Sequence, residues 1–410
     1  MLDTGGTETS EHAAVPEMEQ AISRVENGPI RVTICQPGLP KYRIPIFAEL
    51  ASRPGIDLRV LYASVKNLKN AAPRSFKAEL FEHRTRVVAG KDIVWFSEHL
   101  AAAHLSQSDV VVLPWNIGHL SLLPTLVRAR WNGVGTVLWG HGVSKSDTLI
   151  RRTMRWRVGR MADAVMFYNN WGAGKYLEFE KKRECVFVAQ NALDQTAIQT
   201  ERKEILKNPA RLAAFTRDKG IGDPNLIFVS RLFDDNRVDL LLKAVKRISE
   251  HFPGITAVII GEGPAEASLR ELASQLGIAD KILFVGSVYE ERDLAPYFLS
   301  ADLFVYPTNL GLSILHAFGY GVPVVAGDLL YAHNPEVEAL ENGHNGILFR
   351  HLDDADMADK IIALLKNPAQ IVSMSLFAHE TAMKRFTVKR MVDGMEAAIR
   401  YANRFAKPRR

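Results

Sequence analysis

Two short stretches of this chain combine residue types that hold anions. Tyr306 to Ala326, YPTNLGLSILHAFGYGVPVVA, reads as a buried strand end, a polar turn through Thr308, Asn309 and Gly311, a helix, and a second buried strand. A strand–loop–helix unit of this kind aims unsatisfied backbone N–H groups at the loop, where a phosphate can sit. Gly311 lets the backbone approach that anion closely. The bland alternative is an ordinary βαβ turn. The second stretch, Ser230-Arg231-Leu232, closes another apolar run. An arginine there can clamp a diphosphate through its planar, permanently charged guanidinium. Arg237, at the opening of the next helix, offers a second positive charge. Surface pairing of Arg231 with Asp234 or Asp235 is the alternative.

Other strand ends carry further candidates. Gly261-Glu262-Gly263-Pro264 opens like a dinucleotide fingerprint, but Glu266 stands where the third glycine belongs. A tight turn lining a crevice is the better reading, with Gly263 at its centre. Trp139-Gly140-His141-Gly142 ends another apolar run, and its glycines expose His141, which makes it the candidate active-site residue. In PGLPKYRIPIFAEL (37–50), Lys41, Tyr42 and Arg43 sit in a loop entering a helix, able to meet a phosphate or a sugar, or to be plain surface. RRTMRWRVGR (151–160) packs five arginines and Trp156 into ten residues. It reads either as a peripheral membrane patch or as a solvated helix face with Trp156 and Met154 turned inward.

These candidates need strands to position them, and two series of short apolar runs supply them. The first is RVTICQ (31–36), DLRVLYA (57–63), DIVWF (92–96), DVVVLP (109–114), TVLWG (136–140), AVMFY (164–168) and CVFVA (185–189). The second is NLIFVS (225–230), TAVIIG (256–261), KILFVG (281–286), DLFVYP (302–307), VPVVAG (322–327) and GILF (346–349). Near-continuous Val- and Ile-rich runs are expected of strands covered on both faces of a parallel sheet. Helical patterns such as VDLLLKAVKRISEHF (238–252) lie between them. The alternation predicts an α/β fold of two doubly wound parallel-sheet domains, with a ligand between them beside the strands' carboxyl ends. The expected boundaries are a disordered leader at 1–28, an N-terminal domain at 29–193, a C-terminal domain at 194–380, and a final helix with a basic tail at 381–410.

Composition narrows the class. The chain has 410 residues, is 47% hydrophobic and carries a formal net charge of +5, enough for two cores and too slightly basic to argue for nucleic acid. It suits anionic ligands or an anionic membrane surface. Cys35 and Cys185 are the only cysteines, both in apolar runs and far apart, which points to a reducing compartment. The N-terminus lacks the pattern of a signal peptide, and no apolar run is long enough to span a bilayer. The expected location is the cytoplasm, with peripheral contact at the inner membrane face through 151–160.

Taken in order, these segments resemble the retaining glycosyltransferases of family 4, which have the GT-B fold. The resemblance rests on the SRL and VDLLLKA segment, IIGEGP, LFVGSV, the P-x-x-x-GL-x-x-x-HA-x-x-YG-x-PVV stretch, Asn191 with Asp194, and NPEVEALENGHNGILF (334–349). It is close over roughly 190 to 365 and only an outline before that. It implies two Rossmann-like domains facing a central cleft, with the C-terminal helix returning to the N-terminal domain. It also implies a nucleoside-diphosphate sugar as donor and a glycan or lipid-linked acceptor. Transfer would retain anomeric configuration without metal or cofactor, in surface polysaccharide or glycoconjugate synthesis. Arg231 would hold the diphosphate, the backbone of Asn309, Leu310, Gly311 and Leu312 would cradle it, and Gly286 to Val288 would pack against the base. His141 would orient the donor sugar, and Lys41, Tyr42 and Arg43 would lie near the acceptor.

Three positions depart from the family pattern. Asn236, beside Arg237, stands where a lysine is usual, and Thr308 and His316 replace two glutamates. His316 can still bond a ribose hydroxyl, and Thr308 or Asn309 a sugar hydroxyl. The departures keep open a non-catalytic sugar-nucleotide-binding protein, and the shared GT-B fold keeps open a nucleotide-sugar 2-epimerase, for which no convincing acidic set can be placed.

Overall fold

The structure is a computed structural model that describes residues 28–64, 69–82, 84–88, 91–142 and 148–407. Nearly all of the expected leader (1–27) and the last three residues of the basic tail lie outside the described residues. In chain order the first half holds β1 (Ile30–Gln36), α1 (Ile44–Ala51), β2 (Ile56–Ala63), β3 (Lys77–Phe81), β4 (Arg84–Val88), β5 (Lys91–Trp95) and α2 (Ser97–Ala102). Then come β6 (Val110–Pro114), α3 (Leu122–Asn132), β7 (Gly135–Gly140), α4 (Leu149–Gly159), β8 (Ala164–Phe167), α5 (Asn170–Leu177) and β9 (Val186–Val188).

Seven of these strands form one sheet in the order β3-β2-β1-β6-β7-β8-β9. The central strands β6 and β7 are buried along their whole length, as their unbroken apolar runs require. The run at 92–96, expected in this sheet, is not in it. β5 pairs antiparallel with the adjacent β4, Arg84 opposite Trp95, in a separate two-stranded ribbon. A short apolar run looks the same whether its partner is a distant parallel strand or the preceding segment. One edge of the sheet is instead β3, whose KAELF sequence is largely exposed and interrupts its apolar residues with Lys77 and Glu79.

The second half holds α6 (Thr196–Leu206), α7 (Pro209–Lys219), β10 (Asn225–Val229), α8 (Val238–Ile248), β11 (Thr256–Ile260), α9 (Glu266–Gln275), β12 (Ile282–Gly286), α10 (Glu291–Leu299) and β13 (Leu303–Tyr306). It continues with α11 (Ser313–Tyr320), β14 (Val324–Gly327), β15 (Gly346–Phe349), α12 (Asp354–Leu365), α13 (Pro368–Lys384) and α14 (Val388–Asn403). Its six-stranded sheet runs β12-β11-β10-β13-β14-β15, with parallel registers throughout.

Local chemistry starts and fills these helices. Asn208-Pro209 and Asn367-Pro368 open α7 and α13: each asparagine side chain accepts an N–H of the first turn, and each proline needs no acceptor there. α8 buries Val238, Leu240, Leu241, Leu242, Val245 and Ile248, and turns Lys243, Lys246 and Arg247 away. Each such side chain contributes about 1.5–3 kcal/mol on burial. A Leu241→Ala change would cost about 2–5 kcal/mol.

The chain divides into two compact units. One takes the described residues through Gly140 with Met154–Val165 and the residues from Glu396; the other takes His141–Thr153 and Met166–Met395. The last turns of α14 therefore belong to the first unit. There Arg400 Nη2 donates to the Pro54 carbonyl at 2.8 Å, and the Ala402 carbonyl lies so near Gly135 that a Cβ there would be 2.4 Å from it.

Two smaller expectations change. Cys35 is buried, and burial pushes its thiol up to about 12. Cys185 instead sits in a half-buried turn before β9, because the strand starts only at Val186. In α4, Trp156 turns inward but Met154 is exposed. No single helix among the described residues is long and apolar enough to cross a membrane.

Candidate functional site

The six-stranded sheet reverses direction at β10, whose neighbours are β11 on one side and β13 on the other. In doubly wound sheets, ligands bind outside the carboxyl ends of the strands at such a switch point. The loop after β10 carries Ser230 to Arg237, and the loop after β13 carries Pro307 to Leu312.

These two loops are tied to each other by side chains. Asn236 is buried, and its Nδ2 donates to the Arg231 carbonyl at 2.6 Å. Its Oδ1 accepts from the Tyr306 hydroxyl at 3.2 Å and from Asn309 Nδ2 at 3.1 Å. Burial pushes the Tyr306 phenol up to about 12, so its proton stays on to donate. Thr308 is also buried and donates its hydroxyl to the Asp235 carbonyl at 2.5 Å. Asn236 and Thr308, two of the positions expected to touch a donor, thus have polar groups engaged in holding the loops together.

Arg231 is left facing solvent. Its guanidinium lies 5.0 Å from the Phe233 ring centroid, and no carboxylate pairs with it among the described residues. The Asp235 carboxylate accepts from Asn309 instead, at 3.1 Å. Arg237, with φ of 52°, is paired twice with Asp239, at 2.8 and 3.0 Å. That neutralises the second positive charge expected beside Arg231.

Of the four residues expected to form a backbone cradle, Asn309 and Leu310 have their N–H groups already committed. The Asn309 N–H donates to the Ala332 carbonyl and the Leu310 N–H to His333 Nδ1. Asn309 holds a left-handed φ of 63°, which asparagine tolerates, and Asn334 Nδ2 braces its carbonyl at 2.9 Å. Among the described residues, the N–H groups of Gly311, Leu312 and Ser313 have no intramolecular acceptor. They are the orphan donors of the α11 amino end, where the helix dipole also favours an anion. Gly311 has an ordinary φ; a Cβ there would press on the Asn334 side chain at 3.3 Å.

The glycines after β11 serve close packing. A Cβ at Gly261 would lie 1.9 Å from the Ser230 carbonyl, and one at Gly263 would lie 2.3 Å from the Leu232 carbonyl. Glu262 in this turn accepts the Ser287 N–H at 3.2 Å, joining it to the loop after β12, where Val288 packs on the core.

Sequence reasoning missed two participants. His333 accepts the Leu310 N–H at Nδ1, so the proton is on Nε2, which donates to the Gly327 carbonyl at 2.9 Å. Glu291 supplies a carboxylate where a neutral Thr308 and His316 pair was expected to stand without one. Its Oε1 accepts from His316 Nε2 at 2.8 Å and from the Tyr320 hydroxyl at 2.5 Å. His316 also stacks on Phe298, with centroids 4.9 Å apart. No local pattern marks Glu291, because its partners lie 25 and 29 residues away. Asn191 is similarly committed, donating to buried Glu336 at 2.6 Å, while Asp194 accepts the Thr196 N–H at the start of α6.

The candidates of the first half fall differently. His141 is exposed, with its ring centroid 4.8 Å from that of Tyr168. Gly142 has φ of 67° and leaves no room for a side chain: a Cβ would lie 2.3 Å from the Phe167 ring. Lys41 and Tyr42 are exposed in a short turn, but Arg43 is buried, its guanidinium 4.7 Å from the Trp139 ring centroid and 5.2 Å from that of Tyr42. Among the described residues, no group of three His, Cys, Asp or Glu side chains is arranged to hold a metal ion.

Comparison with known proteins bears on this arrangement. Residues 223–367 match the family described as Glycosyl transferases group 1. The chain is 26% identical over 276 residues to a GDP-mannose-dependent alpha-(1-6)-phosphatidylinositol monomannoside mannosyltransferase of Mycolicibacterium smegmatis, covering 64% of this chain and 69% of that one. Over 185 residues it is 33% identical to a D-inositol 3-phosphate glycosyltransferase of Geodermatophilus obscurus, covering 42% of this chain and 39% of that one. Among solved structures it resembles Anabaena Alr3699/HepE, solved in complex with UDP, with a TM-score of 0.65 at 16% identity over 90% of this chain and 98% of that one. The two parallel α/β sheets and this likeness establish the GT-B fold.

Proposed function

We propose, from a GT-B fold whose second unit carries a group 1 glycosyl transferase domain, that the protein transfers a sugar from a nucleoside-diphosphate sugar to a glycan or lipid-linked acceptor. The observation that carries this reading is the unpaired, exposed Arg231 at the sheet's switch point. It shares that point with the open N–H groups of Gly311, Leu312 and Ser313. A guanidinium and a helix amino end neutralise a leaving diphosphate without a metal ion. The reaction proposed is accordingly metal-independent, and retention of configuration follows from the resemblance to family 4.

In this reading His141 orients the donor sugar. His316, held by Glu291, offers its remaining edge to the ribose. Asn236, Thr308 and Asn309 act through the loops they lock, and Val288 with Gly263 shapes the base-side wall. Lys41 and Tyr42 are left for the acceptor. The relatives named for GDP-mannose make mannose the first donor sugar to try, and the UDP-bound neighbour makes uridine diphosphates the second. Surface polysaccharide or glycoconjugate synthesis at the cytoplasmic face is the setting that suits such an acceptor. The non-catalytic and epimerase readings are not favoured by relatives named as transferases.

The test is release of nucleoside diphosphate from GDP-mannose and UDP-glucose, in the presence of a chelator, with and without lipid-linked acceptors. Acceptor-dependent release supports transfer. Release from none of them, or an epimerised nucleotide sugar as the product, would contradict it.

A further inference from the structure

The helix between β6 and β7 is apolar on both of its faces. α3 turns Leu122, Leu126 and Ala129 into the core. On the opposite side Leu120, just before it, with Leu123, Val127 and Trp131, recurs at intervals of three, four and four residues. These four side chains are 56%, 46%, 52% and 84% exposed. That spacing makes one continuous stripe. A tryptophan so exposed within an apolar stripe is unusual on a soluble surface and marks an interaction site.

The charges carried by α3 itself and by the next helix are one-signed, although Glu98 on neighbouring α2 and Asp163 near Arg130 are acidic. Within the same unit, α3 carries Arg128 and Arg130 and α4 carries Arg155 and Arg157, and neither helix contains an acidic residue. Arg128, Arg130 and Arg157 are exposed and make no ion pair among the described residues. α3 joins β6 to β7 and α4 joins β7 to β8, with the strands adjacent in that order. Right-handed crossovers place both helices on the same side of the sheet. α4 adds exposed Met154, while Trp156, the aromatic residue that drew attention to 151–160, is buried.

We propose that α3, flanked by the arginines of α3 and α4, is the surface by which the protein docks on an anionic phospholipid bilayer. Tryptophan and aliphatic side chains enter the headgroup boundary while arginines meet the lipid phosphates. A complementary protein would need its own apolar patch ringed with acids; an anionic bilayer presents both by its nature. This docking stands independently of the sugar-transfer reading, since it needs no donor.

The experiment is co-sedimentation of the full chain with vesicles of phosphatidylcholine, with and without phosphatidylglycerol. The wild-type protein should sediment with the anionic vesicles, and less so as salt is raised. The triple variant Leu123→Ser, Val127→Ser, Trp131→Ser should lose roughly tenfold or more in partitioning. A second variant, Arg128→Glu with Arg130→Glu, should lose binding without altering the stripe. Circular dichroism shows whether each variant is folded. Absence of sedimentation by the wild type, or sedimentation unchanged in both folded variants, overturns the proposal. A vesicle-free dimer that the serine variant abolishes would assign the stripe to a second copy of the chain and overturn it as well.

Discussion

The loops after β10 and β13 and the loop after β1 sit at equivalent places, at the carboxyl ends of parallel strands, yet they are built differently. In the second unit, Asn236, Thr308, Asn309 and Asn334 spend their polar groups on neighbouring backbone and on one another. Among the described residues, the Arg231 guanidinium has no carboxylate partner and the adjacent N–H groups of Gly311, Leu312 and Ser313 have no intramolecular acceptor. In the first unit the Leu39 N–H of the loop donates to Asn70 Oδ1 at 2.8 Å, and ring packing is added: Arg43 lies over Trp139 and Tyr42, and Phe47 meets Trp139 edge-on at 6.3 Å. Hydrogen-bonded loops preorganise donors for an anion, because their geometry is fixed before the ligand arrives. An arginine stacked on rings fixes shape while it keeps its charge.

The strongest way to break the contrast is to remove the hub of the second loop pair. Asn236→Leu deletes three hydrogen bonds, leaving the Arg231 carbonyl with the Phe233 N–H alone and the buried Tyr306 hydroxyl with Ser230. It should cost about 3 kcal/mol or more in urea unfolding, with loss of nucleotide response in whatever remains folded. An unfolding midpoint within error of the wild type would show that the hub is dispensable.

A middle-sized effect belongs to the first unit, where His99 lies buried against Phe96, with ring centroids 4.6 Å apart. Burial, reinforced by nearby His119, lowers its pKa to about 3. The unfolded chain therefore binds a proton below its ordinary value near 6.5 that the folded chain refuses. The resulting stability is full above about pH 6.5 and declines as pH falls toward 3, by about 2 kcal/mol at pH 5. His99→Leu should flatten that part of the stability–pH curve. A curve with the same slope between pH 7 and 5 in the variant would assign the loss to other groups.

The smallest effect is Arg43→Ala. Losing the stacking should cost about 1 kcal/mol of stability and leave nucleotide binding unchanged. A matching loss of nucleotide affinity would mean that the first unit's arginine meets phosphate after all, and the comparison would fail.

Parts of this arrangement were legible in the amino-acid order and parts were not, for physical reasons. All six strands of the second sheet were visible because a strand covered on both faces must be apolar throughout. Lys77–Phe81 was not, since an edge strand carries polar residues, and the run at 92–96 misled because its pairing with the preceding segment leaves no trace in hydrophobicity. Arg231 and Gly311 stood out as residue types at strand ends. The bonds of Thr308 and Asn309 to Asp235 span 73 and 74 residues, and no local pattern announces them. His333 and Glu291 escaped for the same reason. The stripe on α3 was hidden because apolar residues at helical spacing do not show which face the fold covers.

The most direct test of the phosphate site is a titration of nucleoside diphosphates, without divalent metal, against wild-type protein and Arg231→Ala, followed by thermal unfolding. Because Arg231 is exposed and bonded only through its backbone, the ligand-free melting temperature should be unchanged in the variant. Its apparent affinity for the diphosphate that stabilises the wild type should fall roughly 10- to 100-fold. A variant that melts like the wild type and responds to the diphosphate equally well would contradict the assignment of Arg231 to the phosphate site.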